Sequence, residues 1–317
     1  MLSRTAQNLY WLGRYLQRTE HVGRLMRLQV ESLVDRAASE ITFGWRRIFG
    51  ALDQAMPTTD STFPVSDEFV LADAFTLADY MTFERQNADS IWSSFHSARE
   101  NARQIRHCLT EEFWGCLNLA WLRVRDCDIS EIWASSPSRF YRDLVADMYT
   151  VSGAASSTMY RDQGWIFLEL GRWLEQVQQL SATILAHEAA ISSERDVTDA
   201  DWFSLLRLAQ ADEIYEESFG LSIDPMLVYR MLVTDRRLPG SLAKSAARFQ
   251  EKVLDAGNGP DEDAVLALQQ GAAEVRSKVE QEWSSHASRV EGMRSIQNQA
   301  LSLNGLVHSS FFSYLLP

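Results

Sequence analysis

Arg14, Arg18 and His21 follow one another at helical spacing in the stretch Trp-Leu-Gly-Arg-Tyr-Leu-Gln-Arg-Thr-Glu-His that begins at Trp11. Glu20 and Arg24 add an i, i+4 pair of opposite charge. Trp11, Tyr15, Val22 and Leu25 lie between these groups, so the helix is apolar beyond a single stripe and its arginines are not fully solvated. A guanidinium withdrawn from water needs a carboxylate or an anionic ligand. A second stretch repeats the chemistry: Arg172 stands three residues before Glu175, and Gln176, Gln178 and Gln179 follow. Two readings are open. The groups form an interior salt-bridge network that fixes helix register, or Arg14, Arg18 and Arg172 line an anion-binding pocket between two helices. A third basic row, Arg99, Arg103 and Arg106 with His96 one turn before, is either a salt-bridged surface or another wall of that pocket. Asn101 on the same helix is a further substrate-binding candidate. If the pocket is catalytic, Glu175 and Glu20 are the candidate general bases and the arginines stabilise developing negative charge.

Several other chemistries fail on spacing. There is no His-Glu-x-x-His and no Glu-x-x-His, so neither a zinc peptidase nor a ferritin-like di-iron site is supported, and no metal is expected. The six histidines are scattered. No glycine-rich phosphate loop and no Gly-x-Ser-x-Gly occurs, and no cofactor is expected. Ser241-Leu-Ala-Lys244 spells the Ser-x-x-Lys of a serine acyltransferase, but the partner motifs and the α/β setting are missing. Cys108 and Cys116 fall eight apart and Cys127 eleven further on, which is core packing and not ligand spacing.

These residues must be positioned by helices. Leu9, Leu12, Leu16, Thr19, Gly23, Met26, Val30, Leu33 and Ala37 step by three and four, predicting a helix over 3–37. Ile166, Leu170, Trp173, Val177, Leu180 and Ile184 predict a second over 159–190. Shorter ones fit 67–83, 89–108, 111–127, 138–150, 201–218, 240–255, 262–284 and 288–315. Asn87 or Asp89 is the expected N-cap of the 89–108 helix. Five of the seven prolines coincide with loop-like stretches at 56–66, 134–138, 238–241 and 256–263, and SGAASS at 152–157 reads as a further break. No run of alternating strand residues appears. Leu-Gly-Arg-Tyr-Leu at 12–16 returns as Leu-Gly-Arg-Trp-Leu at 170–174. The expected fold is therefore all-α: a single large helical bundle over 1–317, built from two related halves, about 1–155 and 156–317. Each half centres on a long helix, and Gly13 and Gly171 let the two helices approach closely.

Composition narrows the function. The chain has 317 residues, 46% of them hydrophobic, and a formal charge of −13. That is enough apolar material for a core, and the charge is the wrong sign for a generic nucleic-acid binder. No apolar run is long enough to span a membrane, and the N-terminus lacks a signal-peptide h-region. With an odd number of cysteines, the expectation is a reduced, cytoplasmic protein without membrane or nucleic-acid partners. Of 30 basic residues only Lys244, Lys252 and Lys278 are lysines. Arginine grips carboxylates and phosphates bidentately, and GC-rich coding produces the same bias.

The N-terminal LSRTAQNLYWLGRYLQRTE, the stretch NADSIWSSFHSARENARQIR and the following LTEEFWGCLN, with Glu112, Trp114 and Asn118, resemble the α-E proteins, a bacterial all-helical family. DWFSLLRLAQADEIYEESFG and IDPMLVYRMLVTDRRLPGS resemble it too, so the likeness covers nearly the whole chain. The resemblance implies an association with circularly permuted ATP-grasp amide ligases and transglutaminase-like proteins, hence a system that makes or modifies peptides. The implied role is a helical partner of the ligase that binds an anionic peptide or aminoacyl intermediate. The alternatives are an enzyme of acyl transfer and a non-catalytic structural subunit. The chain departs from the family's Glu-Arg motif in both helices: it has Gln17-Arg18-Thr19-Glu20 in the first and Glu175-Gln176-Val177-Gln178 in the second. One Arg and one Glu remain, and an Arg18–Glu175 pair is the expected survivor. Gly240 stands where the family has an Arg.

Overall fold

The computed structural model describes residues 2–35, 38–56, 67–191, 198–281 and 286–313. Among them are fourteen α-helices, one short 3-10 turn and no strand. In chain order the helices are α1 (Ser3–Asp35), α2 (Ala38–Ala51), α3 (Asp67–Thr82), α4 (Ile91–Gln104), α5 (Glu111–Arg125), α6 (Ile129–Ser135) and α7 (Pro137–Thr158). Then follow α8 (Gln163–Ile191), α9 (Asp199–Leu208), α10 (Asp212–Phe219), α11 (Pro225–Thr234), α12 (Leu242–Ala256), α13 (Glu262–Val279) and α14 (His286–Phe311). The all-helical expectation is met. No described helix is long and apolar enough to cross a membrane.

Short polar side chains set the boundaries. Ser90, Thr110, Asp128, Asp224, Ser241 and Asp261 each accept a hydrogen bond from a backbone N–H of the first turn that follows. Each such cap is worth about 1 kcal/mol. Pro137 and Pro225 stand in first turns, where the missing N–H costs nothing. Ser90 replaces the expected Asn87 or Asp89 as the cap of α4, because Asn87 Oδ1 is taken by the N–H of Asp89 at 3.1 Å.

The sequence pattern missed some elements. α2, α6 and α11 were not anticipated, being short segments between stronger signals. The 201–218 stretch is two helices, separated where Gln210 adopts a φ of 56°. The SGAASS segment is not a break: α7 runs through it to Thr158. Val151 and Ala155 continue the buried row of Tyr141, Leu144 and Met148, and that burial outweighs the weak helix propensity of Gly153 and the serines. Of the expected 56–66 loop all but Met56 lies outside the described residues, as does Ala37 of the first seam.

Two compact units result: Met1–Arg14 with Arg161–Pro317, and Tyr15–Tyr160. In the first, α8 packs on α12 and α14, and α13 packs on both of those. The first turns of α1 cross α8 at very short range. A Cβ on Gly13 would fall 2.0 Å from the Leu168 carbonyl oxygen, and one on Gly171 would fall 2.0 Å from that of Tyr10. Each glycine thus faces the carbonyl three residues before the other glycine. In the second unit α5 packs on α7 and α4, and α1 meets α7 where Gly23 faces Leu144 and Val145.

Candidate functional site

The glycine crossing dictates what sits beside it. Arg14 is the next residue after Gly13, and Glu175 is one turn past Gly171 on α8. Their side chains meet across the crossing: Arg14 Nε donates to Glu175 Oε2 at 2.5 Å, and Nη2 lies 2.5 Å from the same oxygen. Both are almost fully withdrawn from water, at 5% and 3% exposure. The remaining guanidinium hydrogens are also used. Nη2 donates to Gln178 Oε1 at 2.5 Å, and Nη1 donates to Asn304 Oδ1 at 2.6 Å and more weakly to Tyr10 Oη at 3.5 Å. The Tyr10 hydroxyl donates to Asn304 Oδ1, and Trp11 offers its ring face to the Arg14 cation at 5.2 Å. Glu175 Oε1 accepts from Gln179 Nε2 at 3.1 Å, and Gln178 Nε2 donates to the Ala300 carbonyl. Burial pushes the Tyr10 hydroxyl up to about 12 against the opposing pull of Arg14, so it remains a donor. His308, packed edge-on to Tyr10, is held below its ordinary value, first by burial and then by the Arg14 charge.

This cluster belongs wholly to the first unit and is not the expected one. The surviving pair is Arg14–Glu175, not Arg18–Glu175. Arg18 lies five residues beyond Gly13, more than a turn from the crossing, and its Nη1 donates to Asp89 Oδ1 at 2.7 Å within the second unit. Gln54 Nε2 bridges Asp89 and Asn87. Tyr15 stacks near the Arg18 cation at 5.8 Å. Glu20 is buried and lies 3.6 Å from Arg24, as its spacing implies.

Arg172 is half-buried, near its neighbour Glu169 at 3.5 Å and over the Trp173 ring. It does not join the Arg14 network, because its side chain leaves the crossing on the side of Glu169. Gln176 reaches elsewhere: its Nε2 lies 3.6 Å from where a Cβ on Gly240 would be. Gln176 and Gly240 are therefore neighbours in the fold.

The third row lies on α4 in the second unit. Arg99 Nη1 donates to Glu100 at 2.8 Å, and its Nε donates to Asn118 Oδ1 on α5 at 3.2 Å. Arg99 and Arg106 both lie over the Trp114 ring, at 5.9 and 5.5 Å. Arg103 is 60% exposed and reaches Glu100, which its hydrogen bond holds below the usual carboxylate range. Asn101 donates one amide N–H to the Ser97 carbonyl one turn back. His96 stacks flat on Trp92 at 4.8 Å, and Arg85 covers the same indole.

Other expectations resolve simply. The Ser-x-x-Lys motif is a helix cap: Ser241 Oγ accepts from the Lys244 N–H and donates to the Asp235 carbonyl. Among the described residues no group of His, Cys, Asp and Glu could hold a metal ion. The three cysteines are half-buried and not core residues, and Cys108 lies in the 3-10 turn Arg106–Cys108, off the helix that carries Cys116. The partners that sequence reasoning missed are Asn304, Tyr10 and Asp89. They carry no motif, and Asn304 and Asp89 lie 290 and 71 positions away from Arg14 and Arg18.

Comparison with known proteins agrees with the helical architecture. The "Uncharacterized protein Mb2597" of Mycobacterium bovis is 22% identical over 268 residues, 80% of this chain. The "Uncharacterized protein MT2643" and "Uncharacterized protein Rv2567" of Mycobacterium tuberculosis are similar to the same extent. The chain spans about 30% of the length of these curated relatives. No solved structure matches. The pattern of the Alpha-E family, described as a predicted alpha-helical domain with a conserved ER motif, matches residues 1–312, so the chain belongs to that family.

Proposed function

We propose that this chain is a helical partner protein in a peptide-forming system, binding a carboxylate-rich peptide on the α4 face. The observation that carries this reading is how the cations are distributed between interior and surface. Arg14 has its charge matched by Glu175 and its donors taken by Gln178, Asn304 and Tyr10, so it serves the fold. Arg103 is exposed, and Arg99 and Arg106 hold their guanidiniums against Trp114 beside it. Glu100 is the single acidic group between Ser90 and Thr110. An incoming carboxylate would compete with Glu100 for a preformed pair of guanidiniums, which suits bidentate recognition.

The association with an ATP-grasp amide ligase and a transglutaminase-like protein comes from the family resemblance. The lengths of the mycobacterial relatives support a role in company, because the matched region is a minor part of each of those chains. A role for Glu175 as general base is disfavoured. Its Oε2 is held by Arg14 and its Oε1 by Gln179, and a base must be within reach of a substrate proton.

The test is calorimetric titration of a synthetic oligoglutamate peptide into the full chain at low and moderate salt. Binding that weakens with salt, disappears in Arg99→Glu/Arg103→Glu and survives Arg172→Ala is the expected result. Absence of binding at low salt, or binding unchanged in the double variant, would overturn the reading.

A further inference from the structure

The α10–α11 segment of the first unit exposes more apolar surface than its surroundings require. Ile214, Phe219, Leu221 and Met226 lie within thirteen residues, and each is at least 42% exposed, Leu221 as much as 83%. The segment is not loose. Tyr215 is fully buried beneath it, and its hydroxyl donates to the Ser222 carbonyl and accepts from the Asp224 N–H at 2.9 Å. Asp224 in turn caps α11, and Gly220 makes the turn at a φ of 83°. A surface held in shape from beneath loses little conformational entropy when covered. Apolar side chains displayed on such a rigid support mark an interaction site more often than chance exposure.

The charge around the patch selects the occupant. From Ala211 to Val228 the acidic residues are Asp212, Glu213, Glu216, Glu217 and Asp224, with no basic residue in the segment itself, and Arg289 reaches its edge at Met226. A partner must bring cations around an apolar centre. This chain carries such a face. On α4 and the turn after it, Arg99, Arg103 and Arg106 outnumber Glu100, with the exposed Glu111 and Glu112 following in the first turn of α5, in a protein whose net charge is −13. Beside them on α5, Trp114, Asn118 and Leu122 follow at i, i+4 and i+8 on one row, with Trp114 half-buried and Leu122 42% exposed.

We infer that the acidic apolar α10–α11 face docks on the cationic α4–α5 face of a second copy of this chain. The inference rests on the proposed function, because it makes the α4 face a receptor for carboxylate-rich protein surface and names one such surface. The contact is heterologous: each copy offers one face and receives the other, so assembly closes into a ring or continues as a chain of copies. An anionic peptide bound at α4 would compete with it, which couples ligand binding to the state of assembly.

The experiment is light scattering behind size exclusion, over a range of protein concentration and salt. The wild type should show a mass above the monomer that rises with concentration and falls as salt is raised. Glu216→Arg/Glu217→Arg and Arg99→Glu/Arg103→Glu should each be monomeric, with circular dichroism checked against the wild type because Arg99, unlike the other three, is half-buried. The two variants mixed should form a one-to-one complex, since each retains the face that the other has altered. Phe219→Ser/Leu221→Ser should lose assembly without any change of charge. A wild type that stays monomeric at high concentration and low salt overturns the inference, as does assembly that neither charge-reversed variant weakens. Oligoglutamate titrated into Glu216→Arg/Glu217→Arg keeps the two claims apart. Binding there beside a monomeric wild type sinks the assembly and leaves the proposed function standing. Assembly without peptide binding sinks the peptide reading alone.

Discussion

Removing Glu175 should damage the fold more than any surface charge change. Glu175→Ala leaves the Arg14 cation buried without its counter-ion, and three neutral oxygens, from Gln178, Asn304 and Tyr10, remain to hold it. Breaking a buried pair from one side costs roughly 3–5 kcal/mol. In a body of this size each kcal/mol lowers the melting temperature by about 2–4 °C, so a drop of roughly 6–20 °C is expected. Arg14→Met should cost a similar amount, because Glu175 then keeps Gln179 as its hydrogen-bonding neighbour but no cation. Combining Arg14→Met with Glu175→Leu removes both charges together. The double variant should fall short of the sum of the single costs by about 2 kcal/mol or more. Urea unfolding of the four proteins measures the cycle. The Arg18–Asp89 pair is the internal control: at 19% and 25% exposure its coupling should be about 1 kcal/mol or less. If both single changes at Arg14 and Glu175 cost under about 1 kcal/mol, or if their costs simply add, the network does not hold the helix crossing as argued.

Gly13→Ala should unfold or strongly destabilise the protein, because its methyl would fall 2.0 Å from the backbone oxygen of Leu168 and neither helix can yield locally. Gly115→Ala on α5 meets nothing within 4 Å and should instead stabilise by up to about 1 kcal/mol, both read by thermal melting. His308 has a folded pKa below its unfolded value, so its stabilising effect is present above about pH 6.5 and is lost as pH falls through the window beneath. Melting curves should show that loss in the wild type and a flatter profile in His308→Phe, and equal slopes would refute the assignment. Gln176→Arg with Gly240→Arg would place two arginines side by side, at the positions where the family resemblance implies them. Phosphate should then raise the melting temperature of the double variant and not of the wild type, and no phosphate effect would mean the two positions do not form one anion site.

The fold class was legible because α1 and α8 bury continuous rows at steps of three and four. Leu9, Leu12, Met26, Leu170, Val177 and Ile184 are all core residues. The close approach at Gly13 and Gly171 was legible too, since a helix interior keeps glycine at a cost and a tight crossing is a common reason. What failed was local. SGAASS looks like a loop by composition, but its own Ala155 and the preceding Val151 are buried, and tertiary burial overrides propensity. The polar network failed differently. Spacing says which residues share a face of one helix, and it says nothing of which partner stands opposite. Asn304 is 290 positions from Arg14 and has no signature of its own.

The same limit explains the Glu-Arg motif. Read along one helix, Gln17-Arg18 and Glu175-Gln176 look like two halves of a damaged pair. In space the motif's members have separate tasks. Glu175 balances an arginine from outside the motif, Arg14, at the point where the backbones of α1 and α8 nearly touch. Replacing it would leave a buried charge, so the fold itself constrains that position. Position 176 points away from the crossing towards Gly240. Arg18 is tied to Asp89 and partly open to water. In this chain the acidic residue of the motif in α8 is therefore architecture, fixed by the buried Arg14 charge that it balances.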